Sequence, residues 1–169
     1  MTMKIAIASD HAGYQTKNKV IQSIKESGYD YTDFGTNSDS SVDYPDFAFK
    51  VAKVVSAGKY TRGILICGSG LGMCIAANKV KGIRAVTCHN TFTAEMSRRH
   101  NDANVLCLGA KVVFCRVRSP NAPRYGTVRD RALLKILKIW LETEFESEGG
   151  KSRHQRRLNK ISEYEMKSR

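Results

Sequence analysis

The sequence predicts an α/β fold, a three-layer α/β/α sandwich around a five-stranded, mostly parallel, Rossmann-like sheet with a C-terminal helical extension. Three observations predict it: short apolar runs of strand length alternate with amphipathic runs of helix length, the links between them are brief, and 169 residues suffice for one substantial core but not two. Residues 1–169 are therefore read as a single domain.

Lys4 to Ser9 is an apolar run fit for a buried strand, and Gly13 to Ser27 a helix with Val20, Ile21 and Ile24 on one face, stopped by Gly28. The unit repeats with a strand over Tyr31 to Phe34, a helix over Asp46 to Ala57 closed by Gly58, and a strongly apolar strand over Gly63 to Cys67. A helix starts near Gly72 and takes in Ala76 and Ala77. A strand over Arg84 to Cys88, a helix over Thr91 to Arg99 capped by Asn90, and a strand over Asn104 to Leu108 complete the alternation. Phe114 to Asp130, with two prolines and several arginines, reads as an exposed basic loop. Ala132 to Thr143 is an amphipathic helix burying Leu133, Ile136, Leu137 and Trp140; after the turn Glu148-Gly149-Gly150, a charged helix runs from about His154 to Glu165.

With no apolar leader and no run of 18 apolar residues, the chain reads as soluble and cytoplasmic, without a membrane partner. Five cysteines without a C-x-x-C pair fit neither a disulfide framework nor a zinc knuckle, so reduced thiols and no metal are expected. The net charge of +12 raises nucleic-acid binding, but much of it is concentrated in 114–131 and 151–160.

In an open α/β sheet, sites form beyond the carboxyl ends of strands, where Asp10-His11, Cys67-Gly68-Ser69-Gly70-Leu71-Gly72 and His89 fall. A thiol passing into a glycine turn suits chemistry on an anion: glycines let backbone N–H groups converge on a ligand, and a helix starting there adds its positive end, which also favours a thiolate. Buried free cysteines are more often inert, and it is the location that favours catalysis. Met73 stands where a dinucleotide fingerprint would need its last glycine and where a cysteine phosphatase would need arginine, and no P-loop is present. Asp10-His11 can meet a polyol or cap the next helix. His100-Asn101-Asp102 can be catalytic or a helix C-cap. Arg153 and Arg157, one helical turn apart, can fork a phosphate dianion or simply face solvent.

Taken together, Ser9 to Gly13, Ser41 to Asp46, Cys67 to Gly72, Ala76 to Lys79 and Ser97 to Asn104 closely resemble the ribose-5-phosphate isomerase B family. The resemblance covers residues 3 to 113 and 132 to 165, with 114–130 as an insertion. It implies interconversion of ribose 5-phosphate and ribulose 5-phosphate through an enediolate, with no cofactor and no metal. It implies that Cys67 is the base, that the Ser69 hydroxyl assists it, and that His100 opens the furanose ring. Asp10, His11, Tyr44 and Asn101 become substrate contacts, as does the loop backbone at Gly68, Gly70, Leu71 and Gly72. Arg153, Arg157 and Lys111 become phosphate ligands, Lys111 standing where arginine is usual and giving up its bidentate fork. Some members carry the base as glutamate at the position of Met73, so this chain groups with the cysteine users. The family implies a homodimer or dimer of dimers with the site shared between subunits. Rival readings are an isomerase of allose 6-phosphate or galactose 6-phosphate and, in another class, a nucleic-acid-binding or regulatory protein on this scaffold. The latter ranks behind because every catalytic position is filled.

Overall fold

Alternation of buried side chains builds the sheet. In the computed structural model, which describes residues 3–112, 127–150 and 152–167, β1 (Lys4–Ser9), β2 (Asp30–Asp33), β3 (Arg62–Cys67), β4 (Ala85–Thr87) and β5 (Val105–Gly109) lie in the order β2-β1-β3-β5-β4. All four neighbouring pairs are parallel. One face of the sheet presents Ile5, Ile7, Ile64, Ile66, Leu106 and Leu108; the other presents Ala6, Ala8, Leu65, Cys67, Val105 and Cys107.

The first face is covered by α1 (Tyr14–Glu26) through Val20 and Ile24, by α4 (Thr91–Arg99) through Ala94, and by α5 (Thr127–Glu142) through Leu133, Ile136, Leu137, Trp140 and Leu141. The second is covered by α2 (Tyr44–Ser56) through Ala48, Val51, Ala52 and Val55, and by α3 (Leu71–Ala77) through Met73, Ala76 and Ala77. These are the three layers the alternation predicts. The last helix, α6 (Arg153–Lys167), buries His154 and Leu158.

Several boundaries differ from expectation for physical reasons. The first helix starts at Tyr14 because Asp10 accepts from the Gly13 amide at 2.9 Å and closes a separate 3-10 turn over His11–Gly13. α2 starts two residues early, with Pro45 in its first turn, where the missing N–H costs nothing. The expected loop 114–130 is corrected at its end, since Thr127 to Asp130 already belong to α5, and Asp130 favours a helix N-terminus and pairs with Lys19 at 2.6 Å. Residues 114–126, with Cys115, Arg116, Arg118 and Arg124, lie outside the described residues. Among the described residues no helix is long and apolar enough to cross a membrane.

The register brings three strand ends together: Ser9 pairs with Ile66 and Cys67 with Gly109. Asp10, the glycine turn and Lys111 therefore share the carboxyl edge. Helices in a parallel sheet run back toward the opposite edge, so the end of α4, with His100, lies at the amino edge.

Candidate active site

At the carboxyl edge the chain assembles a cradle around Cys67. The thiol is only 4% exposed, and the Gly70 amide donates to its Sγ at 3.1 Å, curling the turn around the sulfur. Gly70 has φ of 82°, a left-handed conformation that favours glycine, and Thr87 and Leu108 crowd it. Ser69 is exposed, and its Oγ accepts from the Leu71 amide at 3.3 Å. The helical ladder begins with the Cys74 amide donating to the Gly70 carbonyl, so the Gly72 and Met73 amides in the first turn of α3 have no carbonyl one turn back to bond. Of the amides from Ser69 to Met73, those of Gly70 and Leu71 are thus engaged within the loop, which leaves those of Ser69, Gly72 and Met73 to meet an anion.

Around this loop, Tyr44 at the start of α2 packs on Gly72, where an added Cβ would come 2.9 Å from its ring. His11 Nδ1 accepts from the Val42 amide at 3.2 Å, tying the loop before α2 to the end of β1. Asp10 is buried and commits one oxygen to the cap described above, so the structural alternative for it is realised. The Lys111 amide donates to the Gly68 carbonyl at 2.8 Å, and the Lys111 stem runs alongside Gly68. Cys74, in the same helix, has its thiol drawn down to about 6 by hydrogen bonding with Cys107, helped by Thr87 and Asn78 and opposed by burial. Its sulfur faces the Ala85 carbonyl of β4, at 3.3 Å. Cys88 and Cys107 are buried, and burial pushes both thiols up.

The second group forms at the other edge. His100 is the C-cap of α4 and is 35% exposed, so its cap reading is also realised; its ring lies parallel to that of His154, with centroids 4.1 Å apart and planes 3° apart. Glu146 Oε2 is 3.9 Å from Nε2 of both rings. Arg99 holds the other oxygen of Glu146 and keeps that carboxyl below its usual range. Asn101 is exposed beside His100, in a turn that the paired guanidiniums of Arg84 and Arg98 fix by gripping Asp102, each at 2.8 Å. Arg153 and Arg157 are exposed on one face of α6, whose start is set by Ser152: its Oγ accepts from the Gln155 amide at 3.1 Å. His154 is buried, and its imidazole is lowered below the ordinary value by that burial, then by His100, Arg153 and Arg157.

His100, Glu146 and His154 are the described residues closest to a metal-ligand set, with ligand atoms within 4.8 Å of one another. Arg99 already holds one oxygen of the carboxylate, and Arg153 and Arg157 add positive charge, a setting that suits an anion better than a cation.

Within one chain, then, Cys67, Ser69, Asp10, His11, Tyr44 and Lys111 come together, and His100, Asn101, Arg153 and Arg157 come together, while the two groups occupy opposite edges. Sequence reasoning missed Glu146 and left His154 inside an arginine motif. The signal for His154 was its position next to the Arg153 fork, one step round the helix and so turned inward. Nothing local in the sequence marks Glu146.

Residues 5–119 match the family model described as Ribose/Galactose Isomerase. The chain is similar to ribose-5-phosphate isomerase B of Escherichia coli, with 39% identity over 164 residues covering 97% of each chain. It is similar to the solved structure of ribose-5-phosphate isomerase B from Clostridium thermocellum, with a TM-score of 0.86 and 47% identity over 99% of this chain and 100% of that one. It is similar as well to ribose-5-phosphate isomerase B from Mycoplasma genitalium, solved with ribulose-5-phosphate bound, with a TM-score of 0.84 and 39% identity over 99% of both chains.

Proposed function

The chain belongs to the ribose/galactose isomerase family, and from that premise we propose that it interconverts D-ribose 5-phosphate and D-ribulose 5-phosphate through an enediolate. The observation that carries the reading is the placement of Cys67, buried at the mouth of a glycine turn in a fold shared with the ribulose-5-phosphate-bound relative.

In this reading Cys67 takes the proton from C2 of the open-chain aldose as thiolate and returns it to C1 as thiol, while the hydroxyl proton passes from O2 to O1. The developing oxyanion lies against the Gly72 and Met73 amides, where fixed dipoles need no reorganisation. Ser69 offers its hydroxyl to the same region. Asp10, His11, Tyr44 and Asn101 contact the sugar, and His100 opens the ring. Arg153, Arg157 and Lys111 bind the phosphate, Lys111 as a point charge.

Since one chain holds the two groups at opposite edges, the reading requires a second copy whose His100 side faces the Cys67 side of the first. Uncovered apolar side chains support such a contact: Leu71 and Ile75, one turn apart on α3, are 55% and 63% exposed, as is Phe92 on α4 at 66%. The working unit is thus a homodimer or a dimer of such dimers.

The test is conversion of ribose 5-phosphate by the purified protein with EDTA present, beside Cys67→Ala. Turnover should resist EDTA and fall by about 1000-fold or more in the variant. Undiminished activity in Cys67→Ala would remove Cys67 as the base, and inactivity of the unmodified protein would overturn the substrate.

A further inference from the structure

The stacked imidazoles of His100 and His154 pose an electrostatic question. Two parallel rings 4.1 Å apart cannot both carry charge without strong repulsion, so a proton on one ring disfavours a proton on the other. The groups facing it are Arg99 with its partner Glu95 from α4, Glu146 from the segment after α5, and Arg153 and Arg157 from α6. Arg153 Nε donates to His154 Nε2 at 3.4 Å, which needs that nitrogen to be a lone pair and so marks His154 as the neutral ring. The carboxylate of Glu146 stands equidistant from both rings and can support whatever positive charge the pair holds.

Glu146 is itself fixed. Its backbone amide donates to the Arg99 carbonyl at 3.0 Å, its Oε1 accepts from the Arg99 guanidinium, and Arg99 is braced in turn by Glu95 at 3.0 Å. Because Arg99 immediately precedes His100, this clamp joins the end of α4 to the segment between α5 and α6. The carboxylate is placed by the same residues that place the rings.

We propose that Glu146 is a positioning residue for ring opening, holding His100 and His154 face to face with one proton to exchange between the pair and the sugar. The inference rests on the isomerase reading above. In the step it serves, the pair accepts the proton of the C1 hydroxyl and returns one to the ring oxygen as the C1–O bond breaks, leaving the aldehyde. Protons balance, and the pair ends as it began.

The test uses Glu146→Gln, which keeps the shape and can still accept from Arg99, and Glu146→Asp, which restores the charge. The measurements are pH–rate profiles with ribose 5-phosphate and histidine NMR titrations of the unliganded protein. Without the carboxylate the charged form of the pair loses support, so the pair should give up its proton at lower pH. The corresponding limb of the rate profile and the NMR midpoint of the pair should both move down by about one unit. kcat should fall about tenfold with KM within about twofold, and Glu146→Asp should recover part of the loss.

An unmoved midpoint in Glu146→Gln would overturn the proposal, as would wild-type kcat. So would loss of kcat with collapse of native NMR dispersion, since that marks a structural role alone. The titration needs no turnover. If the unmodified protein fails to isomerise the sugar while the midpoint still shifts, the coupling of Glu146 to the pair stands and it is the isomerase reading that fails.

Discussion

Gly72 is a place where one methyl group reports on the cradle. An added Cβ would come 2.9 Å from Cζ of the half-exposed Tyr44, and the ring can relieve the clash only by swinging toward solvent. Gly72→Ala should therefore leave the thermal midpoint nearly unchanged while kcat/KM falls about tenfold or more, because Tyr44 leaves its position beside the Cys67 turn. Steady-state kinetics beside a thermal melt checks this; full activity would remove Tyr44 from the site. At this scale the sequence was readable where chemistry and local geometry coincide, as in the Cys67 turn, and unreadable where a role depends on a distant partner. Asp10 invited a substrate role and a cap role, and the Gly13 amide realises the cap. Glu146 is held in place by Arg99, 47 residues away in the chain, a relation no spacing encodes.

Helix α4 shows how an element carries a residue into place. Asn90 Oδ1 accepts from the Thr93 amide at 2.8 Å, and the Thr93 hydroxyl answers the Asn90 backbone, a reciprocal cap that fixes where the helix starts. Nine residues later the helix ends at His100. Asn90→Ala should cost about 1 kcal/mol in denaturant unfolding and spare the chemistry, since only the start of the helix frays. Trp140, fully buried on α5 with the guanidiniums of Arg62 and Arg98 each 5.8 Å from its ring, bears more of the load. Burial beside Arg98 lowers the Arg62 guanidinium to about 10, so those cations depend on the ring for cover. Trp140→Ala should cost about 3–5 kcal/mol in the same assay. The bounds of β1 and α4 were legible because strand period and cap residue are local signals. The start of α5 was not, because prolines and glycine upstream pointed to a loop, while the ion pair of Asp130 with Lys19 on α1 is a long-range contact.

For the whole molecule, the arrangement of two half-sites makes a prediction that single variants cannot. Cys67 belongs to the carboxyl edge of the sheet and His100 to the amino edge, so a chain defective in one group retains the other group intact. If a working site takes Cys67 from one copy and His100 from another, a dimer of one Cys67→Ala chain and one His100→Asn chain has one site lacking both groups and one site lacking neither. Random mixing makes about half of all dimers mixed, each half active, so about 25% of unmodified activity should return from two nearly inactive preparations. Subunits carrying different tags, exchanged by unfolding and refolding together, allow native mass spectrometry to count the mixed dimers against the recovered rate. Recovery in proportion to that count would establish sharing. Abundant mixed dimers with no recovery would mean that each chain completes its own site, which would demand a rearrangement bringing the end of α4 across the sheet.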